Sequence, residues 1–380
     1  MAFALTDGRL FDGDEILTGQ ALVIENGVIQ AVLPQEQVTA GLPCQSLDGQ
    51  LLVPGYIDVQ LNGGGGALFN DAPSLSTLRI VGEAHRRYGT TGFLPTLITD
   101  TRDKMEAAIA AVRQARAEGV PGILGIHLEG PYLNTSRKGV HRKEVIRPPE
   151  QDAIDLLASL GEDGVTLVTL APERVPPGFI AELCRRGVKV ALGHTEASYD
   201  QVQTALAEGA SCFTHLYNAM SPLNHRDPGV VGAALDDADS WCGLIADGHH
   251  VHPASLRIAI RAKAKGKIML VTDAMHTVGY AGNDFDLMGQ KLVRRDGMLA
   301  TEDGVLAGSD LDMASAVRYT SQQVGIPLEE SLRMASLYPA EFLGIHQQYG
   351  RLRPGFKADL VLLNDRLEVT QSWIGSSREN

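Results

Sequence analysis

Eight apolar runs, each ending in polar residues, punctuate the middle of the chain: LLVPGYIDVQLN, GFLPTLIT, GILGIHLEGP, GVTLVTLAPE, GVKVALGHT, ASCFTHLYNAM, WCGLIADGHH and KIMLVTDAM. Runs that are apolar on consecutive residues bury both faces, as strands of a helix-covered parallel sheet do. Helix-like stretches separate most of them, at Ser74–Tyr88, Arg102–Glu118, Glu196–Glu208 and Pro253–Lys263. This alternation predicts an α/β chain folded as a (β/α)8 TIM barrel. The helical signal is weakest between the sixth and seventh runs. An open doubly wound sheet is the rival arrangement. It usually brings a glycine-rich dinucleotide turn after its first strand, and G-x-G-x-x-G is absent here. Gly63–Gly66 is a glycine run after a strand, but no helical pattern follows it.

The ends of the chain have a different character. GRLFDG, ALVIENG and VIQAVLP are short runs broken by Asp-Gly and Asn-Gly, a hairpin pattern. GRLRPGFKADLVLLN repeats that character near the other end. The two β segments are expected to pair as one small discontinuous domain, residues 1–52 with 349–380, leaving 53–348 to the barrel. After the eighth run, LVRRDGMLAT predicts a hairpin, and two or three helices are expected through Ala314–Leu343.

Composition fits this division. The 380 residues are 44% hydrophobic, enough for a large barrel core and a second, smaller one. A net charge of −13 gives no general attraction for nucleic acid or anionic membrane, so neither is expected as a partner. MAFALTDGRL lacks a basic segment leading into an apolar core, and no apolar run is long enough to span a bilayer. Cys44, Cys184, Cys212 and Cys242 form no CxxC pair and read as free thiols, which points to the cytoplasm.

Barrel chemistry collects at the C-terminal ends of the strands. The first run ends in Asp58, Gln60 and Asn62, which share a face. The third ends in His127 and Glu129, the fifth in His194 and the sixth in His215. The seventh ends in Asp247, with His249 and His250 behind it, and the eighth in Asp273. Carboxylates and imidazoles gathered at one mouth predict a metal site. Glu129, His194 and His215 would supply one carboxylate and two imidazoles, the open three-ligand arrangement of a catalytic site. Taken singly, each reads equally as a buried, hydrogen-bonded polar residue; taken together with Asp273, they favour chemistry. His127 is expected in the interior, and Asp58 is read as a residue that only orients a neighbour. His85, His225 and His346 read as packing or surface residues, while His252 and His276 stay undecided.

PGYIDVQLNG, HLEGPYLN, LGHT, FTHLYNAM, HRDPG, IADGHHVHP, VTDAM, AGSDLDM and the closing G-x-L-x-PG-x-x-ADLVLL occur in this order. With them the chain resembles the N-acetylglucosamine-6-phosphate deacetylases over nearly its whole length. The resemblance implies a TIM barrel capped by a small β-sandwich built from both ends. It implies that Glu129, His194 and His215 bind one divalent metal per subunit, with zinc first and iron, cobalt or manganese as alternatives. Asp273 would be the acid/base, His250 would contact the acetyl carbonyl and His141 the sugar. Asn218, Ala219 and Arg226 would hold the phosphate, Arg226 from the neighbouring subunit of a homodimer. The implied reaction is hydrolysis of the acetamide of N-acetylglucosamine-6-phosphate; the galactosamine epimer is the alternative substrate.

Many amidohydrolases carry His-x-His at the end of the first strand, where this chain has Gln60 and Asn62. Neutral amides are poor zinc ligands. The fourth run, LVTLAPE, also lacks the lysine that bridges two metals in binuclear relatives. Both absences favour a single metal and argue against cyclic-amide hydrolysis. Two smaller departures are Asp227 where Glu is common and His276-Thr277 after the eighth-run aspartate.

Overall fold

The structure is a computed structural model. It describes residues 2–282, 284–287, 290–295, 297–301, 304, 306–375 and 377–379. Eight strands form one sheet: β1 (Tyr56–Leu61), β2 (Thr90–Ile98), β3 (Gly125–Glu129), β4 (Val165–Leu170), β5 (Lys189–Leu192), β6 (Cys212–Phe213), β7 (Trp241–Leu244) and β8 (Ile268–Leu270). Each pairs in parallel with the next in sequence. The ring closes just past β8, where Leu61 bridges Ala274 and the Asp273 N–H donates to the Gln60 carbonyl at 2.9 Å. The chain is therefore a (β/α)8 barrel, as the eight runs predict.

Helices follow the strands, and their ends obey local chemistry. Ser74 caps α1 (Leu75–Arg86) by accepting from the Thr77 N–H. The run Arg102–Glu118 becomes α2 (Arg102–Ala117), and α3 (Ala153–Leu157) and α4 (Phe179–Arg185) are short. Ser198 and Gln201 form a reciprocal capping box on α5 (Tyr199–Ala207). The weak sixth connection holds α6 (Gly229–Asp236), in which residues 229–234 are all buried. A short helix buried on every side has no polar face to create a 3.6-residue pattern, which explains its faint sequence signal. His252 is resolved as a cap: its ring accepts from the Ala254 N–H at 3.1 Å, ahead of α7 (Pro253–Ala262). Three helices, Met313–Tyr319, Leu328–Ala335 and Leu337–Leu343, close the barrel wall after β8.

Two further sheets form the ends of the chain: a four-stranded one from N-terminal strands alone and a six-stranded one that draws on both ends. Leu51–Pro54 lies antiparallel to Leu360–Leu363, so strands more than 300 residues apart are direct neighbours. Leu5, Leu10, Leu22, Leu52, Leu360 and Trp373 belong to a core separate from that of the barrel. The expected hairpin after β8 is present as Gln290–Arg295 paired with Met298–Thr301, and the structure extends it to a four-stranded antiparallel sheet. Its last strand, Leu306–Ser309, returns to the barrel mouth, where Ser309 bridges Ala274.

Asp58 fastens the closing seam. It is fully buried, and its carboxylate accepts from the Gln60 N–H at 3.0 Å and the Thr272 hydroxyl at 2.5 Å. Burial raises its pKa to about 7 against those hydrogen bonds. On the other flank Ser309 Oγ donates to the Thr272 carbonyl at 2.6 Å, and the Ser309 N–H donates to the Asp273 carbonyl at 2.9 Å. Gly308 (φ 66°) permits this approach, since a Cβ there would stand 2.5 Å from the Met275 side chain. Thr272→Val keeps the shape but leaves a buried carboxylate one donor short, at a cost of about 1–3 kcal/mol. Denaturant unfolding is expected to show that loss for Thr272→Val and near-parental stability for Thr272→Ser. Equal stability of the two variants would mean that the hydroxyl does not hold the seam.

Candidate metal centre and active site

Four polar side chains meet at the C-terminal mouth of the barrel. Glu129 is the last residue of β3, His194 and His215 each follow by two residues the ends of β5 and β6, and Asp273 lies three residues past β8. Three of them sit in left-handed backbone, with φ of 50° at His194, 31° at His215 and 51° at Asp273. Tyr217 and Ala219 share that region at 79° and 52°. Each such non-glycine residue costs on the order of 1–3 kcal/mol, and such strain concentrates where side chains must be aimed.

The ligand atoms converge. His194 Nε2 stands 3.0 Å from Glu129 Oε1, His215 Nε2 stands 3.2 Å from the same oxygen, and the two nitrogens are 3.1 Å apart. The backbone sets the tautomer of His194: its Nδ1 faces the Arg137 carbonyl at 2.8 Å, so Nδ1 carries the proton. In the neutral ring Nε2 is then a bare lone pair, aimed at a carboxylate oxygen. Such a contact is repulsive unless a proton or cation lies between, so the donor set fits a metal ion. Burial works against ionisation of Glu129, but with a proton between them and the carboxylate His194 and His215 outweigh it and hold the carboxyl well below its ordinary range. Burial disfavours charge on His215, yet its hydrogen bond with Glu129 raises its pKa overall. The field that favours a proton there favours a metal cation equally.

His141 is another imidazole near this group; its Nε2 lies 4.0 Å from Glu129 Oε1, and Glu129, His141 and His194 can bring ligand atoms within 4.8 Å of one another. Its tautomer differs. The Thr99 N–H points at His141 Nδ1 at 3.3 Å, so Nδ1 accepts and the ring proton sits on Nε2. Burial, helped by His194, pushes its pKa down to about 3, so the ring is neutral. A protonated Nε2 suits hydrogen bonding to a ligand better than coordination. His127 lies deeper, between Thr96 and Thr169, with its pKa lowered to about 4 by burial, as an interior residue should be.

Gln60 and Asn62 turn their amides toward the acids. Gln60 Nε2 donates to both Glu129 oxygens at 3.3 Å and to Asp273 Oδ1 at 3.2 Å, and Asn62 Nδ2 donates to Asp273 Oδ1 at 2.7 Å. Burial and the negative charge of Glu129 raise the Asp273 pKa; His215, His250 and the Asn62 hydrogen bond act against them. His250 Nδ1 lies 2.6 Å from Asp247 Oδ2.

One cavity of about 170 Å³ joins these groups. Glu129, His141, His194, His215, Asn218, Ala219, His250 and Asp273 all line it; Arg226 does not, and stands in an exposed stretch over residues 222–227. Met275, Leu306 and Gly308 complete one wall from the seam and the added sheet. Those three carry no polar signal in the sequence, and the roles of Gln60 and Asn62 as donors show only once the strands close. His85, His225 and His346 lie away from the cavity; His85 is buried against the Gly63 carbonyl at 2.8 Å.

The sequence pattern of the amidohydrolase family matches residues 51–379, and that of the NagA composite domain matches residues 2–52. An N-acetylgalactosamine-6-phosphate deacetylase of Shewanella sp. (strain ANA-3) is 43% identical, over 96% of this chain and 94% of its own. An N-acetylglucosamine-6-phosphate deacetylase of Haemophilus influenzae is 34% identical over all of both chains. The crystal structure of N-acetylglucosamine-6-phosphate deacetylase from Pasteurella multocida superposes with a TM-score of 0.96 at 36% identity, covering 100% of each chain. The chain belongs to the amidohydrolase family, and within it to the N-acetylglucosamine-6-phosphate deacetylases.

Proposed function

We propose that this chain hydrolyses the acetamide of N-acetylglucosamine-6-phosphate to glucosamine-6-phosphate and acetate, in amino-sugar catabolism. The observation that carries this reading is the convergence of Glu129 Oε1, His194 Nε2 and His215 Nε2 within 3.2 Å, with Asp273 in the same cavity. Glu129, His194 and His215 would hold one divalent metal, zinc in our reading, with iron, cobalt or manganese as substitutes. When bound, such an ion makes water acidic enough to attack near neutral pH and polarises a carbonyl. Gln60 and Asn62 already direct their N–H groups at the acids, which supports a single ion rather than two.

Asp273 takes a proton from the attacking water and delivers it to the nitrogen as the carbon–nitrogen bond breaks. Burial disfavours its charged form, which helps it to take that proton. His250 contacts the acetyl carbonyl and stabilises the oxyanion that forms on it. His141 reads the sugar through its Nε2 proton. Asn218 and Ala219 receive the phosphate within the cavity. Arg226 completes that grip from the neighbouring subunit of a homodimer, a reading supported by its exposure outside its own cavity. Four free cysteines suit a reducing cytoplasm.

The galactosamine epimer is the second reading, favoured by the 43% identical relative. Acetate release from both epimers, with the unphosphorylated sugars and a chelated, zinc-restored sample as controls, separates the two. Metal-dependent release that prefers the phosphorylated glucosamine substrate is the expected result; preference for the other epimer would replace the substrate but not the reaction, and no release from any of them would remove the deacetylase reading.

Asp273→Asn is expected to retain its metal, measured by elemental analysis, while kcat falls by about 10²–10⁴-fold. A variant that keeps most of its turnover would take Asp273 out of the reaction. Arg226→Ala should lower kcat/KM for the phosphorylated sugar by about 1.5–3 kcal/mol, the worth of a charged hydrogen bond, and leave the unphosphorylated sugar nearly unchanged. Equal losses would show that this guanidinium does not read phosphate.

A further inference from the structure

Asp247 is a carboxylate that the proposed hydrolysis does not use. It follows β7 by three residues, and both of its oxygens are engaged. Oδ1 accepts the N–H groups of His249 and His250 at 2.8 and 2.9 Å, which builds the turn. Oδ2 lies 2.6 Å from His250 Nδ1. The two side chains are only 5% and 7% exposed, so water does not compete for this contact. Hydrogen bonds from His250 and the turn outweigh burial and keep the Asp247 pKa below its ordinary value. Gly248 (φ 83°) lets the turn pass under Tyr319, whose hydroxyl would be 2.6 Å from a Cβ at that position. The turn is thus fixed from above and below, and His250 reaches the cavity from it.

We propose that Asp247 is a positioning residue: by accepting from Nδ1 it fixes the orientation and protons of His250 and balances the charge that His250 carries when it donates to the substrate. The argument is one of proton count. An ionised carboxylate only accepts, so Nδ1 is the donor in the pair. A neutral ring with its proton on Nδ1 has only a lone pair at Nε2. To donate from Nε2 to a carbonyl oxygen gaining negative charge, the ring must hold both protons. His250 then acts as an imidazolium, with Asp247 as its counter-charge and Asp273 as the other acid whose charge it feels. This inference rests on the reading that His250 contacts the acetyl carbonyl.

Asp247→Asn separates turn-building from proton-fixing. The amide oxygen still accepts from the two backbone N–H groups, while an NH2 donor now faces Nδ1 and removes the counter-charge. We expect kcat to fall about 10- to 100-fold, as when other buried partners of functional histidines are removed. KM and the thermal midpoint should hardly move, since the interaction matters only in the transition state. The double variant Asp247→Asn/His250→Asn should be no slower than His250→Asn alone, because Asp247 acts only through that ring. A second readout needs no turnover: in 15N-histidine-labelled enzyme, the His250 signal should show a downfield Nδ1 proton that disappears in Asp247→Asn. Parental kcat in Asp247→Asn, additive losses in the double variant, or a His250 ring bare at Nδ1 would each overturn the proposal. If the parent enzyme released acetate from neither epimer, the deacetylase reading would fall by itself, and the proton position at His250 would still be decided by the spectrum.

Discussion

The seam between β1 and the residues after β8 is the constraint on which the site depends. A barrel has no free edge only if its last strand finds its first, and here that meeting is made just beyond β8, at Ala274. Asp58 holds Thr272 from one side and Ser309 holds it from the other. Asp273 is the next residue, in left-handed backbone. The acid is therefore aimed by main-chain geometry from both flanks before Asn62 touches its side chain. His194 and His215 share that left-handed backbone, and the rigid ring behind them offsets its strain.

Hydrogen-bond direction divides the histidines by task. His194 gives its Nδ1 proton to a carbonyl and offers a lone pair; His141 receives a backbone N–H and keeps its proton on Nε2. The rings stand with centroids 4.4 Å apart, yet one is prepared for a cation and the other for an acceptor. The peptide groups of Arg137 and Thr99 make that distinction, and the Thr99 hydroxyl, 2.8 Å from His141 Nδ1, adds to it on one side.

Much of this was readable from the sequence, and the unreadable parts have a common cause. Eight runs with polar ends give the barrel and put Glu129, His194, His215 and Asp273 at one mouth, because strand direction and the C-terminal location of barrel sites follow from general rules. What escaped depends on contacts between distant segments. α6 was faint because it is buried all round. The sheet added after the expected hairpin brings Leu306 and Gly308 to the cavity with no polar marker. Gln60 and Asn62 read as lost ligands, whereas the closed seam makes them donors to Glu129 and Asp273. Ring tautomers are set by backbone groups that no residue pattern reveals.

The pairing of Leu51–Pro54 with Leu360–Leu363 also sets an order of events during synthesis. The first fifty residues leave the ribosome long before the strand that completes their sheet exists. At about 5–20 residues per second, the intervening three hundred take roughly 15–60 s to emerge. Until then the apolar faces of Leu10 and Leu52 lack Leu360 and Trp373, their partners in the same core. The barrel can form meanwhile, so a segment made late seals one made long before it, and a ribosome stalled between them releases a chain with an open, adhesive edge.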